Sequence, residues 1–199
     1  MKLRHLAGIA ALLAAHSGAA GAQERAIIVL DGSGSMCGQI DGTPKIAIAR
    51  DVLGDVLGKV PSSTYLGLMA YGHREKGNCS DIELLIAPAP GSAAEITGMA
   101  KDLNPKGKTP ISAAVRQAAT ALKFTENEAT VILITDGLET CNADPWAVAR
   151  ELEAAGVDFT AHVVGFGLSA EEGRQVACLA EETGGKYISA EMPAPSSRP

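Results

Sequence analysis

Two short oxygen-rich segments follow apolar runs in this chain. Asp31-Gly32-Ser33-Gly34-Ser35 follows the run Ala26 to Leu30, and Thr135-Asp136-Gly137 closes the run Ala129 to Thr135. Between them, Thr109-Pro110 stands just before a helical pattern. Carboxylates and hydroxyls are hard oxygen donors, of the kind preferred by Mg²⁺, Mn²⁺ and Ca²⁺ rather than by Zn²⁺. Gly32 and Gly34 let the first segment turn tightly. The usual constellations for turnover are missing from the sequence. It has no G-x-S-x-G elbow and no H-E-x-x-H pair, and Lys106-Gly107-Lys108 lacks the remaining residues of a phosphate loop.

Composition narrows the partners. The chain has 199 residues, 46% hydrophobic and 20% charged, enough for one domain with a real core. A net charge of −6 and 4% aromatic residues argue against a nucleic-acid ligand. Residues 1–22 read as a secretory signal peptide: Lys2 and Arg4, an apolar run from Leu6 to Ala15, then Ala20-Gly21-Ala22. The mature chain is expected to begin at Gln23, to have no transmembrane segment, and to be periplasmic or secreted, where disulfides persist. Residues 191–199 are rich in Pro and Ser and are expected to be a disordered tail.

The elements that must position the two segments follow from periodicity. Ala26 to Leu30, Thr64 to Tyr71, Asp81 to Ala87, Ala129 to Thr135, Val157 to Val164 and Lys186 to Ser189 read as six strands. Thr43 to Leu57, Ser92 to Leu103, the segment opened by Thr109-Pro110, Asp144-Pro145 to Ala155, and the capping box from Ser169 to Glu172 read as helices, with Thr109 as an N-cap. Only nine residues separate Tyr71 from Asp81, too few for a parallel crossover, so strands two and three must form an antiparallel hairpin. The alternation implies an α/β fold: a mostly parallel six-stranded sheet with helices on both faces and strand 3 antiparallel at the edge. Such sheets bind ligands beyond the carboxyl ends of the strands, where strand order reverses.

The D-x-S-x-S segment, the later Thr and the Asp after the fourth strand resemble the von Willebrand factor A domain and its metal-ion-dependent adhesion site. The resemblance covers residues 25–190 and implies a Rossmann-like doubly wound sheet of order 3-2-1-4-5-6. It also implies a metal site of Asp31, Ser33, Ser35, Thr109 and Asp136, with Mg²⁺ expected and Mn²⁺ or Ca²⁺ possible. Ser33, Ser35 and often Thr109 would touch the ion, while Asp31 and Asp136 would act largely through water. The implied function is binding, not turnover: a cation under-neutralised by neutral hydroxyls would attract an Asp or Glu of a partner protein. An exported metal-dependent hydrolase and an envelope-assembly module with a purely structural metal are the alternatives.

The remaining candidates are weaker. Glu139 and Asp41 lie in the same top loops and read as solvated loop charge, with acids at the rim of the site as the alternative; His73 reads as a surface histidine and Trp146 as helix packing. Four cysteines allow three pairings. In the strand order that the resemblance implies, Cys37–Cys79 and Cys141–Cys178 join neighbouring strands, and the other schemes each need a distant pair. The alternative is that one or more thiols stay free, Cys178 being placed mid-helix.

Overall fold

A computed structural model describes residues 24–190. The expected signal peptide (1–22) and tail (191–199) lie outside the described residues.

The strands are β1 (Arg25–Asp31), β2 (Tyr65–Tyr71), β3 (Ile82–Ala89), β4 (Glu128–Thr135), β5 (Asp158–Phe166) and β6 (Tyr187–Ala190). The helices are α1 (Lys45–Leu57), α2 (Ala93–Asp102), α3 (Ile111–Ala121), α4 (Pro145–Ala155) and α5 (Ala170–Glu181). The strands form one sheet in the order β3-β2-β1-β4-β5-β6. Only β3 runs antiparallel, paired with β2 at the edge. This is the expected Rossmann-like fold.

Continuous apolar strands are buried because helices cover both faces. Alternate residues divide between two cores. Ile27, Val29, Leu133 and Val163 pack against α3, α4 and α5. Ile28, Leu30, Ile134 and Phe166 pack against α1 and α2. Parallel pairing sets Asp31 opposite Tyr71 and Leu30 opposite Ile134. Asp31 and Asp136 therefore leave adjacent strands at the same level, at the point where strand order reverses.

Local signals hold at α4 and α5. The Asp144 side chain accepts from Trp146 N at 2.9 Å. Ser169 and Glu172 complete both halves of the capping box. Trp146, by contrast, is 39% exposed and lies outside both cores. The start of α1 also differs from expectation. Thr43-Pro44 pairs with Gln39-Ile40 in a two-residue ribbon, so the helix begins at Lys45. Asp41 and Gly42, both at positive φ, make its turn, the preferred chemistry for such a hairpin.

Candidate metal centre

Asp31 is fully buried at the end of β1, and the residues after it fold back over its carboxylate. Ser33 N donates to Asp31 Oδ1 at 2.7 Å. Thr135, at the end of β4, donates from Oγ1 to Asp31 Oδ2 at 2.7 Å. The same hydroxyl accepts from Tyr71 Oη at 3.2 Å. Asp31 is thus oriented from above by its own loop and from below by a buried Tyr–Thr chain. Burial, and then the repulsion of Asp136, hold its carboxyl above the usual range, and the donated hydrogen bonds offset part of that. Tyr71 is held well above the ordinary phenol range, chiefly by burial and then by Asp31.

The hydroxyls converge on Asp136. Ser33 Oγ and Ser35 Oγ are 2.9 Å apart, and Ser35 Oγ donates to Asp136 Oδ1 at 2.8 Å. Asp136 Oδ2 is buried, accepts no hydrogen bond, and faces the Lys45 ammonium at 2.8 Å. The position where a Gly137 side chain would begin lies 3.6 Å from Ser35 Oγ and 4.0 Å from Thr109 Cγ2. Asp31, Ser33, Ser35 and Asp136 are thus linked in one group, and Thr109 stands on the other side of Gly137 from Ser35, with no hydrogen bond from its hydroxyl to them. The donor set offers two buried carboxylates and neutral hydroxyls, with a single ammonium as counter-charge. That chemistry fits a hard divalent cation. Among the described residues no group of three or more His, Cys, Asp and Glu comes together that could hold a metal ion, so two carboxylates and neutral hydroxyls are the whole of the donor set.

The loops that hold Thr109 correct two expectations. Thr109 is not the N-cap of α3. Pro110 occupies that position, and no side chain of the cap bonds back. Glu139 from the loop after β4 does this work instead, its Oε2 accepting from Ser112 N at 2.8 Å while Oε1 accepts from Cys141 N at 2.8 Å. A carboxylate at a helix N-terminus also suits the helix dipole, so Glu139 is a structural clamp and not solvated loop charge. Thr109 is held by Thr140, with Thr109 N donating to Thr140 Oγ1 at 2.8 Å and Thr140 N to Thr109 O at 3.1 Å.

The cysteine pairing is also corrected. Cys79 is bonded to Cys141, with Cα atoms 5.7 Å apart, while Cys37 and Cys178 are free thiols. Strand adjacency is the wrong guide because no cysteine lies on a strand: Cys79 and Cys141 are in loops, Cys37 ends a short 3-10 turn and Cys178 lies on α5. The loop before α3 crosses the top of β1. It is stitched to the β2–β3 loop through Gly107 N to Gly72 O at 2.7 Å, and to the β4 loop through the Thr109–Thr140 pair. It thereby draws Cys79 and Cys141 together. Gly72 sits at φ 66°, and a Cβ there would lie 2.4 Å from Lys108 O, so the crossing requires glycine. Cys178 is buried in the core with its thiol on Gln175 O, and burial pushes it up to about 11. Cys37 is exposed beside Pro105 O.

His73 is more engaged than a surface histidine. Its side chain is 9% exposed, and Nε2 lies 3.1 Å from Glu83. The sequence pattern assigns no role to Lys45 or to the Thr135 hydroxyl. The signal for Lys45 was its place at a helix start, where a cation opposes the dipole and so needs another partner.

The comparisons agree with the fold. A family model described as von Willebrand factor type A domain matches residues 26–139. The uncharacterized protein YwmD of Bacillus subtilis (strain 168) is 33% identical over 174 residues, covering 82% of this chain and 77% of that one. Among solved structures, proximal thread matrix protein 1 from the mussel byssus, with a zinc-occupied MIDAS motif, superposes with a TM-score of 0.63 at 17% identity. That match covers 85% of this chain but only 42% of the mussel protein. The SpRpn10 VWA domain superposes with a TM-score of 0.64 at 13% identity, covering 87% of this chain and 90% of that one.

Proposed function

The chain belongs to the von Willebrand factor type A family, a family of protein-interaction modules, and from that premise we propose that it binds a divalent cation and, through it, an acidic group of a partner protein. The observation that carries the reading is the pair of buried carboxylates, Asp31 held by the Ser33 amide and Asp136 by the Ser35 hydroxyl, with the Ser33 and Ser35 hydroxyls in contact between them at the switch point of the sheet. Two carboxylates this deep are costly without a cation between them.

Ser33, Ser35 and Thr109 would hold the ion by their hydroxyls, with Asp31 and Asp136 behind them. When bound, a divalent ion supplies an electrophilic position for a carboxylate from outside. The chain's own residues do the positioning. Thr135 and Ser33 N fix the Asp31 carboxylate. Glu139 and Thr140 fix the loop that carries Thr109. The Cys79–Cys141 bond closes the rim beside it.

Mg²⁺ is the expected ion, with Mn²⁺ or Ca²⁺ as substitutes. Zinc belongs in the test because the mussel protein holds it in its MIDAS motif. Residues 1–22 are proposed to direct export, with a mature N-terminus at Gln23 in the periplasm or medium. Among the described residues no helix is long and apolar enough to cross a membrane. The test is capture of partners from an exported-fraction extract, with Mg²⁺, Zn²⁺ or EDTA, by wild type and by Asp136→Ala. Proteins retained only by wild type with Mg²⁺, and released by EDTA, support the reading. Identical capture under all conditions contradicts it. N-terminal sequencing that recovers Met1 in place of Gln23 contradicts the export proposal.

A further inference from the structure

Lys45 opens α1, where the helix amides present the positive end of the dipole. No acidic residue lies in the first turn to offset it. Its backbone is fixed, Lys45 N donating to Gly38 O at 2.8 Å. Its stem runs between two glycines, and Cβ atoms at Gly38 and Gly167 would stand 3.7 and 3.5 Å from Lys45 Cε. The side chain is 19% exposed, and its ammonium ends 2.8 Å from a carboxylate oxygen that is completely buried. A flexible lysine held this way, at an electrostatically unfavourable end of a helix, is there for Asp136.

We propose that Lys45 is a tethered cation that neutralises Asp136 in the metal-free protein and is displaced when a divalent ion loads, so that it sets the affinity and selectivity of the site. The proposal rests on the reading of this crevice as a metal centre. The charge count gives the selectivity. One ammonium offsets one of the two buried carboxylates, whereas a divalent ion offsets both. Na⁺ or K⁺ brings no more charge than Lys45 already supplies, so neither gains by displacing it. The displaced ammonium has a second acid within electrostatic reach, Glu172 at the start of α5. Metal loading is then an exchange of cations and not the filling of a bare acidic site.

The exchange is tested by calorimetric titration of Mg²⁺ and Mn²⁺ into the full chain as wild type, Lys45→Met and Lys45→Gln, with thermal melts in EDTA and in saturating Mg²⁺. Methionine keeps the stem, and glutamine serves if methionine does not fold. Removing the competitor should tighten Mg²⁺ binding by about tenfold or more. The variants should melt below wild type in EDTA and level with it in saturating Mg²⁺. NaCl should weaken Mg²⁺ binding more in the variants, because the internal cation no longer screens Asp136. Unchanged or weaker Mg²⁺ binding in the variants, with wild type still binding, overturns the exchange and leaves the metal centre standing. No binding heat from any of the three proteins overturns the metal reading itself, and the exchange with it.

Discussion

Replacing both Cys79 and Cys141 by serine should destabilise the protein by about 4 kcal/mol. The bond joins residues 62 apart in sequence. Closing a loop of that length removes on the order of 14 cal/mol/K from the unfolded chain, which at 25 °C is the figure given. The native state should lose little else. The loops it joins stay stitched by Gly107 N to Gly72 O and by the Thr109–Thr140 pair. The loss should therefore appear in the unfolded ensemble, with a fall in Tm on the order of 10 °C for a chain of this size. Urea denaturation of wild type and Cys79→Ser/Cys141→Ser, each oxidised and reduced, measures it. Reduction should shift wild type to the variant's midpoint and leave the variant in place. Cys37→Ser should change stability by less than about 0.5 kcal/mol, since Cys37 is exposed. A loss under about 1 kcal/mol for the double variant, or a Cys37–Cys79 peptide in non-reducing maps, would refute the reasoning.

The free thiols should differ in reactivity: Cys37 is modified by a thiol reagent in the native protein, and Cys178, buried and pushed up to about 11, only after unfolding. Equal native rates, followed by mass spectrometry, would contradict this. Glu139→Ala should cost about 2 kcal/mol, because it strips a charged acceptor from Ser112 N and Cys141 N, and chemical denaturation reads the loss. His162 is buried, accepts from Lys186 N, and is lowered to about 4 by burial and then by Lys186. The unfolded chain takes up this proton near pH 6.5 and the folded one only near 4. Stability should accordingly fall as pH drops through that window, by at most about 3 kcal/mol. His162→Asn should remove that component of the acid loss, as equilibrium unfolding at pH 7, 5.5 and 4.5 would show.

How much was legible in the sequence depended on the range of the interaction. Strands buried on both faces advertise themselves as apolar runs, and the nine-residue gap after Tyr71 forced the hairpin. The Ser169–Glu172 box and the Asp144 cap are complete within four residues, so they needed no tertiary information. The five oxygen-bearing residues could be grouped by resemblance because each sits where a strand ends or a helix begins. The misreadings share one origin: loops crossing the top of the sheet. Thr109-Pro110 has the local look of a capped helix start, yet the capping is done by Glu139, 27 residues beyond the Ser112 amide that it accepts from. The disulfide follows from the same crossing, since Gly107 and Thr140 bring Cys79 and Cys141 together over β1. Lys45 escaped notice because its partner, Asp136, is distant in sequence, in the loop after β4. Its only local mark was a charge of the wrong sign for its helix terminus.

The central claim is most directly tested by calorimetric titration of Mg²⁺ into wild type and Asp31→Ala, with circular dichroism alongside. Strand β1 is held by Ile27 to Leu30 in the two cores, so the fold should survive the substitution. Saturable binding to wild type at one site per chain, with no binding to a folded Asp31→Ala, is the result predicted here. A folded Asp31→Ala that binds Mg²⁺ as wild type does would contradict the account.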